Sequence, residues 1–138
     1  MLKYFFEIIH DPVERDRRDK CFGQMNIAKC TECMEHMGRY PVLLLNLQGF
    51  ISSDATAFRN ELYSKISDAV LRAARMYCTG VMSQIEKLWG QRDNSNLAGS
   101  IHKMMKPVEQ STNEGFIVLI DEYDHPQQHA LEENYINR

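Results

Sequence analysis

The most constraining feature of this chain is an apolar run that ends in acid. In GFIVLIDEYDHP (115–126), Phe116 to Ile120 is unbroken hydrocarbon and runs straight into Asp121, Glu122 and Asp124, with no Lys or Arg beside them. A short apolar run of this kind fits a strand buried on both faces better than a helix, which needs greater length. A second such run, PVLLLNLQGF (41–50), opens on Pro41 and closes at Gly49. Between the two lies the clearest helical pattern in the chain. Phe58, Leu62, Ile66, Ala69, Val70, Ala73 and Tyr77 follow i, i+3/i+4 steps, with Ser53 or Asp54 to cap the front and Gly80 behind. Buried strands near 42–48 and 116–121, separated by amphipathic helices, predict an α/β layer structure with a parallel sheet. Sites in such sheets gather just past the carboxyl ends of the strands, where Asp121 and Glu122 stand.

The rest of the chain is quieter. MLKYFFEIIH (1–10) places Leu2, Phe5, Phe6 and Ile9 at helical spacing with no cap before them, and reads as the end of an amphipathic helix. DPVERDRRDK (11–20) reads as an exposed charged connection, and Met25 to Met37 as a short helix ending at Gly38. Residues 81–89 extend the long helix or form a second one through Val81, Ile85 and Leu88. QRDNSN (91–96) is a polar loop, and Leu97 to Val108 a helix with Pro107 near its end. The 138 residues make one domain, 1–138, and 43% hydrophobic with 25% charged residues excludes wholesale disorder. A net charge of -3 gives no support to a nucleic-acid interface. No apolar run approaches the roughly 20 residues of a membrane span, and the N-terminus lacks the cleavage site of a signal peptide. The expectation is an intracellular, cytoplasmic protein whose four cysteines, Cys21, Cys30, Cys33 and Cys78, are free thiols.

Acids gathered at a strand end repel one another and resist desolvation, so a positive partner is expected there. An apolar strand ending in Asp-Glu is the pattern called Walker B in P-loop nucleotide hydrolases. There a rigidly held Asp binds Mg²⁺ and a neighbouring Glu orients or deprotonates water. The competing reading is a strand whose last acid simply meets solvent or caps the next helix.

The longer string IVLIDEYDHP, with HMGRYPVLLLNLQGF upstream and MLKYFFE at the front, resembles the AAA-ATPase-like domain family. These are P-loop-ATPase-like proteins, often joined to a nuclease-like domain of the restriction-endonuclease type. The resemblance implies a three-layer α/β/α core, Mg²⁺ and ATP as cofactors, Asp121 as the metal-holding acid and Glu122 as the catalytic base. Tyr123 and Asp124 match the signature without an implied chemistry, and Asp124 is expected to be structural. The phosphate-cradling loop of the family, GxxxxGK(S/T), is absent from these 138 residues, since no glycine falls in a GK(S/T) context. The expectation is therefore a partial domain, inactive as an ATPase alone, with unpaired strand edges that leave it marginally stable or self-associating. The alternatives are a non-catalytic module that binds a protein partner through its sheet edge, and a relic gene fragment.

Other constellations carry less. Cys30 and Cys33 form a CxxC that could hold zinc with Cys21 and His36, but the spacing is irregular, and free cysteines simply packing on a helix face are the simpler account. His125 and His129 read as solvated. The acids could instead serve a metal-dependent nuclease, for which Lys103 and Lys106 are the nearest candidate lysines. Arg59, Arg72, Arg75 and Arg92 read as solvated charges, and the eight methionines as core filler.

Overall fold

The computed structural model describes residues 1–49, 54–93 and 95–124. Its centre is a parallel pair of strands, β1 (Val42–Asn46) and β2 (Ile117–Asp121), in the register Val42 to Ile117 through Asn46 to Asp121. The first apolar run is expected from its sequence to stay extended to 48. It stops at Asn46 because the side-chain Oδ1 accepts from the Gln48 N–H at 2.7 Å, a local turn that competes with the ladder.

The helix expected between the strands runs from Ala55 to Tyr77. Numbering the helices along the chain, it is α4, after α1 (Leu2–Phe6), α2 (Pro12–Gly23) and α3 (Thr31–Met34). Asp54 caps it, accepting from the N–H groups of Thr56 and Ala57 at 2.8 Å each. Its face of Ala69, Val70, Ala73, Ala74 and Tyr77 packs on Leu43 and Leu45 of β1. The alanines let the helix axis approach the strand closely. The chain then forms α5 (Met82–Gly90) and α6 (Leu97–Thr112), which add Ile85, Met104 and Val108 to the same core. Each of these last three is fully buried, and burial of one such side chain contributes about 1.5–3 kcal/mol.

Helix α6 continues past its expected end at Val108. Pro107 lacks the N–H that would bond one turn back, which normally breaks a helix. Here Pro107 and Val108 are both buried, and the Thr112 Oγ1 donates to the Val108 carbonyl at 2.9 Å, so packing carries the helix on to Asn113, where a left-handed residue (φ 57) ends it.

The N-terminal region departs most from the sequence expectations. The first helix ends at Phe6 rather than running on, because Glu7 leaves it to make a parallel bridge to Tyr40. The Tyr40 N–H donates to the Phe6 carbonyl at 3.0 Å and the Ile8 N–H to the Tyr40 carbonyl at 3.1 Å. This bridge lies on the side of β1 away from β2, since Pro41, the next residue, turns its carbonyl to Ile117.

The stretch expected as an exposed connection is helix α2. Asp11 accepts from the N–H groups of Val13 and Glu14, and Pro12 occupies the first turn, where its missing donor costs nothing. Ion pairs Glu14–Arg17 and Asp16–Lys20 line its exposed side, while Phe22 packs edge-on against Phe5 with ring centroids 4.9 Å apart. Arg18 points inward, its side chain only 5% exposed. Its Nη1 donates to the Glu7 carbonyl at 3.0 Å, and its Nε and Nη2 donate to Asp19.

The single helix expected over Met25–Met37 is two pieces, a tight 3₁₀ turn at Asn26–Lys29 and the one-turn α3. Cys30 separates them in an extended conformation and is disulfide-bonded to Cys33, which corrects the expectation of four free thiols. Cys21 and Cys78 are free. Among the described residues no helix is long and apolar enough to cross a membrane.

Candidate functional site

Asp121 is the final residue of β2 and stands beside Asn46, the final residue of β1. Its carbonyl accepts from the Leu47 N–H at 3.0 Å, so the ladder holds its backbone to the last residue. Its Oδ1 accepts from the N–H of Glu122 at 3.0 Å, folding the carboxylate over the following peptide. Glu122 then turns the chain with φ 55, a left-handed conformation that costs a non-glycine residue roughly 1–2 kcal/mol. The strand ends because of this turn, and the turn throws the two carboxylates to solvent. Asp121, Glu122, Tyr123 and Asp124 are all exposed.

Neither Asp121 nor Glu122 has an ion-pair partner among the described residues. No described residue thus supplies these two carboxylates with the basic ion-pair partner missing from the local sequence. Lys106 pairs with Glu109 on its own helix, and the field of Lys103 falls on Asp93. Neither of these two lysines forms an ion pair with Asp121 or Glu122.

The donor set at the strand end is two adjacent carboxylates, and Asn46, which its sequence context alone does not single out. Hard oxygen donors of this kind suit Mg²⁺, which commonly takes one or two protein carboxylates and completes its octahedron with water and substrate phosphates. No group of three or more His, Cys, Asp or Glu side chains among the described residues could hold a metal alone. The residues fit a metal that arrives with its own oxygen ligands, not a self-sufficient cage. Asn46 is legible only once the strands are in register, because its carboxamide sits at the same level of the sheet as Asp121.

The candidate zinc set does not assemble. Cys30 and Cys33 are bonded to one another, Cys21 is exposed on α2, and His36 Nδ1 lies 2.6 Å from the Tyr40 hydroxyl. His125 and His129 lie outside the described residues.

β2 has β1 on one edge and no strand on the other among the described residues. In the parallel ladder the residues bonded to β1 are the alternate set that begins at Ile117, so Val118 and Ile120 turn their backbone groups to the free edge. Their side chains are 46% and 54% exposed, while the in-register β1 neighbours, Leu43 and Leu45, are buried.

A family model described as "Predicted AAA-ATPase" matches residues 1–138. No curated protein and no solved structure matches the chain.

Proposed function

Since the chain belongs to the AAA-ATPase-like family, we propose that it supplies the Walker B half of a Mg²⁺-dependent ATP-binding and ATP-hydrolysing site on a P-loop-type core. The observation that carries this reading is an exposed Asp121–Glu122 pair with no basic partner among the described residues, thrown out by a left-handed turn at the carboxyl end of a parallel pair. When bound, Mg²⁺ neutralises phosphate charge. Asp121 holds that ion, directly or through water, from a backbone fixed by the β1 ladder. The Glu122 carboxylate accepts the proton of, or orients, the attacking water. Asn46, level with Asp121, is placed to hydrogen-bond a water of the same shell.

Phosphate contacts must come from a GK(S/T) loop, which these 138 residues do not contain. On this reading the 138-residue chain alone neither binds ATP at micromolar concentration nor turns it over. Calorimetric titration with Mg²⁺-ATP checks this, and micromolar binding lost in Asp121→Ala would refute it. In a polypeptide that includes the loop, Asp121→Asn weakens Mg²⁺-dependent nucleotide binding. Glu122→Gln keeps binding and lowers kcat by about 10²-fold or more. Unchanged turnover in Glu122→Gln would remove Glu122 from the chemistry.

The edge of β2, which no strand of the described residues covers, and its half-exposed apolar side chains favour a second reading as well, in which the chain pairs with a protein partner or a second copy through that edge. Light scattering across a concentration series tests it. Self-association abolished by Ile120→Lys supports the edge, and a monomer with several kcal/mol of stability overturns pairing with a second copy.

A further inference from the structure

A cavity of about 690 Å³ lies between the front of α4, the end of α5 and the start of α6, on elements that contribute nothing to the strand-end acids. Among the described residues its walls carry two arginines, Arg59 and Arg92, two aromatics, Tyr63 and Trp89, and the polar side chains of Thr56 and Asn60, with no carboxylate. This volume falls in the ordinary range of small-molecule sites.

The polar groups there are unspent. Arg59 makes no ion pair among the described residues, and the Thr56, Asn60 and Tyr63 side chains make no hydrogen bond with any of them. Arg92 is placed rather than loose. Its guanidinium carbon lies 4.6 Å from the centroid of the Trp89 ring, and its Nη1 donates to the Trp89 carbonyl at 3.2 Å. The adjacent Asp93 carboxylate is turned onto Ser95, accepting from its N–H at 2.8 Å and its hydroxyl at 2.6 Å, so it does not neutralise Arg92.

Two guanidiniums without carboxylates call for an anion with several acceptor oxygens, and Arg is suited to phosphate by its forked donors. Aromatic walls call for a flat ring. An amide and a hydroxyl supply donors and acceptors for a polar ring edge or a sugar. We propose that this cavity is a second ligand site, separate from the strand-end acids, and that it takes a free mononucleotide. Arg59 and Arg92 hold the phosphate, Tyr63 and Trp89 flank the base, and Thr56 and Asn60 read its polar edge.

The chain has a single Trp, so tryptophan emission, excited at wavelengths that its six tyrosines do not absorb, reports on Trp89 in this cavity. AMP titrated into the 138-residue protein in EDTA should change that fluorescence saturably, and adenosine or inorganic phosphate should bind at least about tenfold more weakly. Arg59→Ala, on an exposed helical surface where Ala is well tolerated, should weaken AMP by about tenfold with an unchanged circular dichroism spectrum. Asp121→Ala should leave the titration as it was. No response to millimolar AMP overturns the proposal. So does adenosine equalling AMP, phosphate equalling AMP, or undiminished affinity in both Arg59→Ala and Arg92→Ala. A response that needs Mg²⁺ and Asp121 would assign the binding to the strand end instead, and also overturns it.

Discussion

Replacing Gly38 with Ala tests whether the N-terminal layer is fastened to the sheet by one buried arginine. Gly38 adopts φ +70, and its N–H donates to the Phe5 carbonyl at 2.8 Å. A Cβ built there lies 2.7 Å from the Arg18 Cζ, well inside van der Waals contact. An arginine tip on the surface would swing aside at little cost. This one is almost wholly buried and donates to the Glu7 carbonyl at 3.0 Å, so moving it gives up a charge-assisted bond that also positions the bridge to Tyr40. The left-handed backbone costs Ala about 1 kcal/mol relative to Gly, and loss of the charged hydrogen bond about 1.5–3 kcal/mol. Gly38→Ala should therefore destabilise by about 3 kcal/mol. In an Arg18→Ala background the guanidinium is gone, and the same substitution should cost only about 1 kcal/mol, leaving a coupling near 2 kcal/mol. Urea unfolding of the four proteins closes the cycle, with sucrose added to all so that the weakest stays folded. Equal costs of Gly38→Ala in the two backgrounds would refute the fastening argument.

The Tyr77 phenol is pushed up to about 12 from 10.0 chiefly by burial, opposed by the Val42 backbone N–H and reinforced by Glu7, whose Oε2 lies 3.5 Å away. The unfolded chain loses this proton first. The stabilisation is therefore whole below pH 10 and falls as pH rises towards 12, and Tyr77→Phe should flatten that part of the base-unfolding curve. Without reductant, thiol titration of the denatured chain should find two free thiols, and four after reduction. In the folded protein Cys78, whose thiol burial pushes up, should alkylate more slowly than exposed Cys21. Glu122→Gly should raise stability by up to about 1 kcal/mol in urea unfolding, because relief of the left-handed residue outweighs the entropy of glycine. Glu122→Gln should leave stability unchanged, and a loss in the glycine variant would show that the turn is unstrained.

Legibility in the sequence tracks which forces are local. The two strands and α4 can be read because Val42–Leu45, Phe116–Ile120 and the 58–77 stripe are dense in one kind of residue, and Asp54 announces the cap. Helix α2 is hidden by its own charges. Asp11-Pro12 is as good a helix start as Asp54, but only Phe22 and the inward Arg18 mark its buried side, and an arginine is not read as core. Pro107 argues for a shorter α6 because the local cost of proline is visible and the compensating burial of Val108 is not. Cys30 and Cys33 are legible as a pair, while their mutual bond depends on a chain break at Cys30 that no periodicity signals.

The site shows the same division, with a functional consequence. Asp121 and Glu122 announce themselves by a chemical oddity, acids without bases, which needs no structure to notice. The register with Asn46 and the left-handed turn do need one. On the proposed reading Asp121 holds a metal, and such a carboxylate must keep its geometry to within about 0.5 Å. β2 has one strand neighbour among the described residues, and its Val118 and Ile120 are half exposed, so the ladder restrains Asp121 from one side only. A strand laid on the free edge would cover those side chains and fix the acid from both sides in one step. Edge pairing and metal binding should then be positively linked: a partner that protects the Val118 and Ile120 amides from hydrogen exchange should also tighten Mg²⁺ at Asp121, and protection without tighter binding would separate the two.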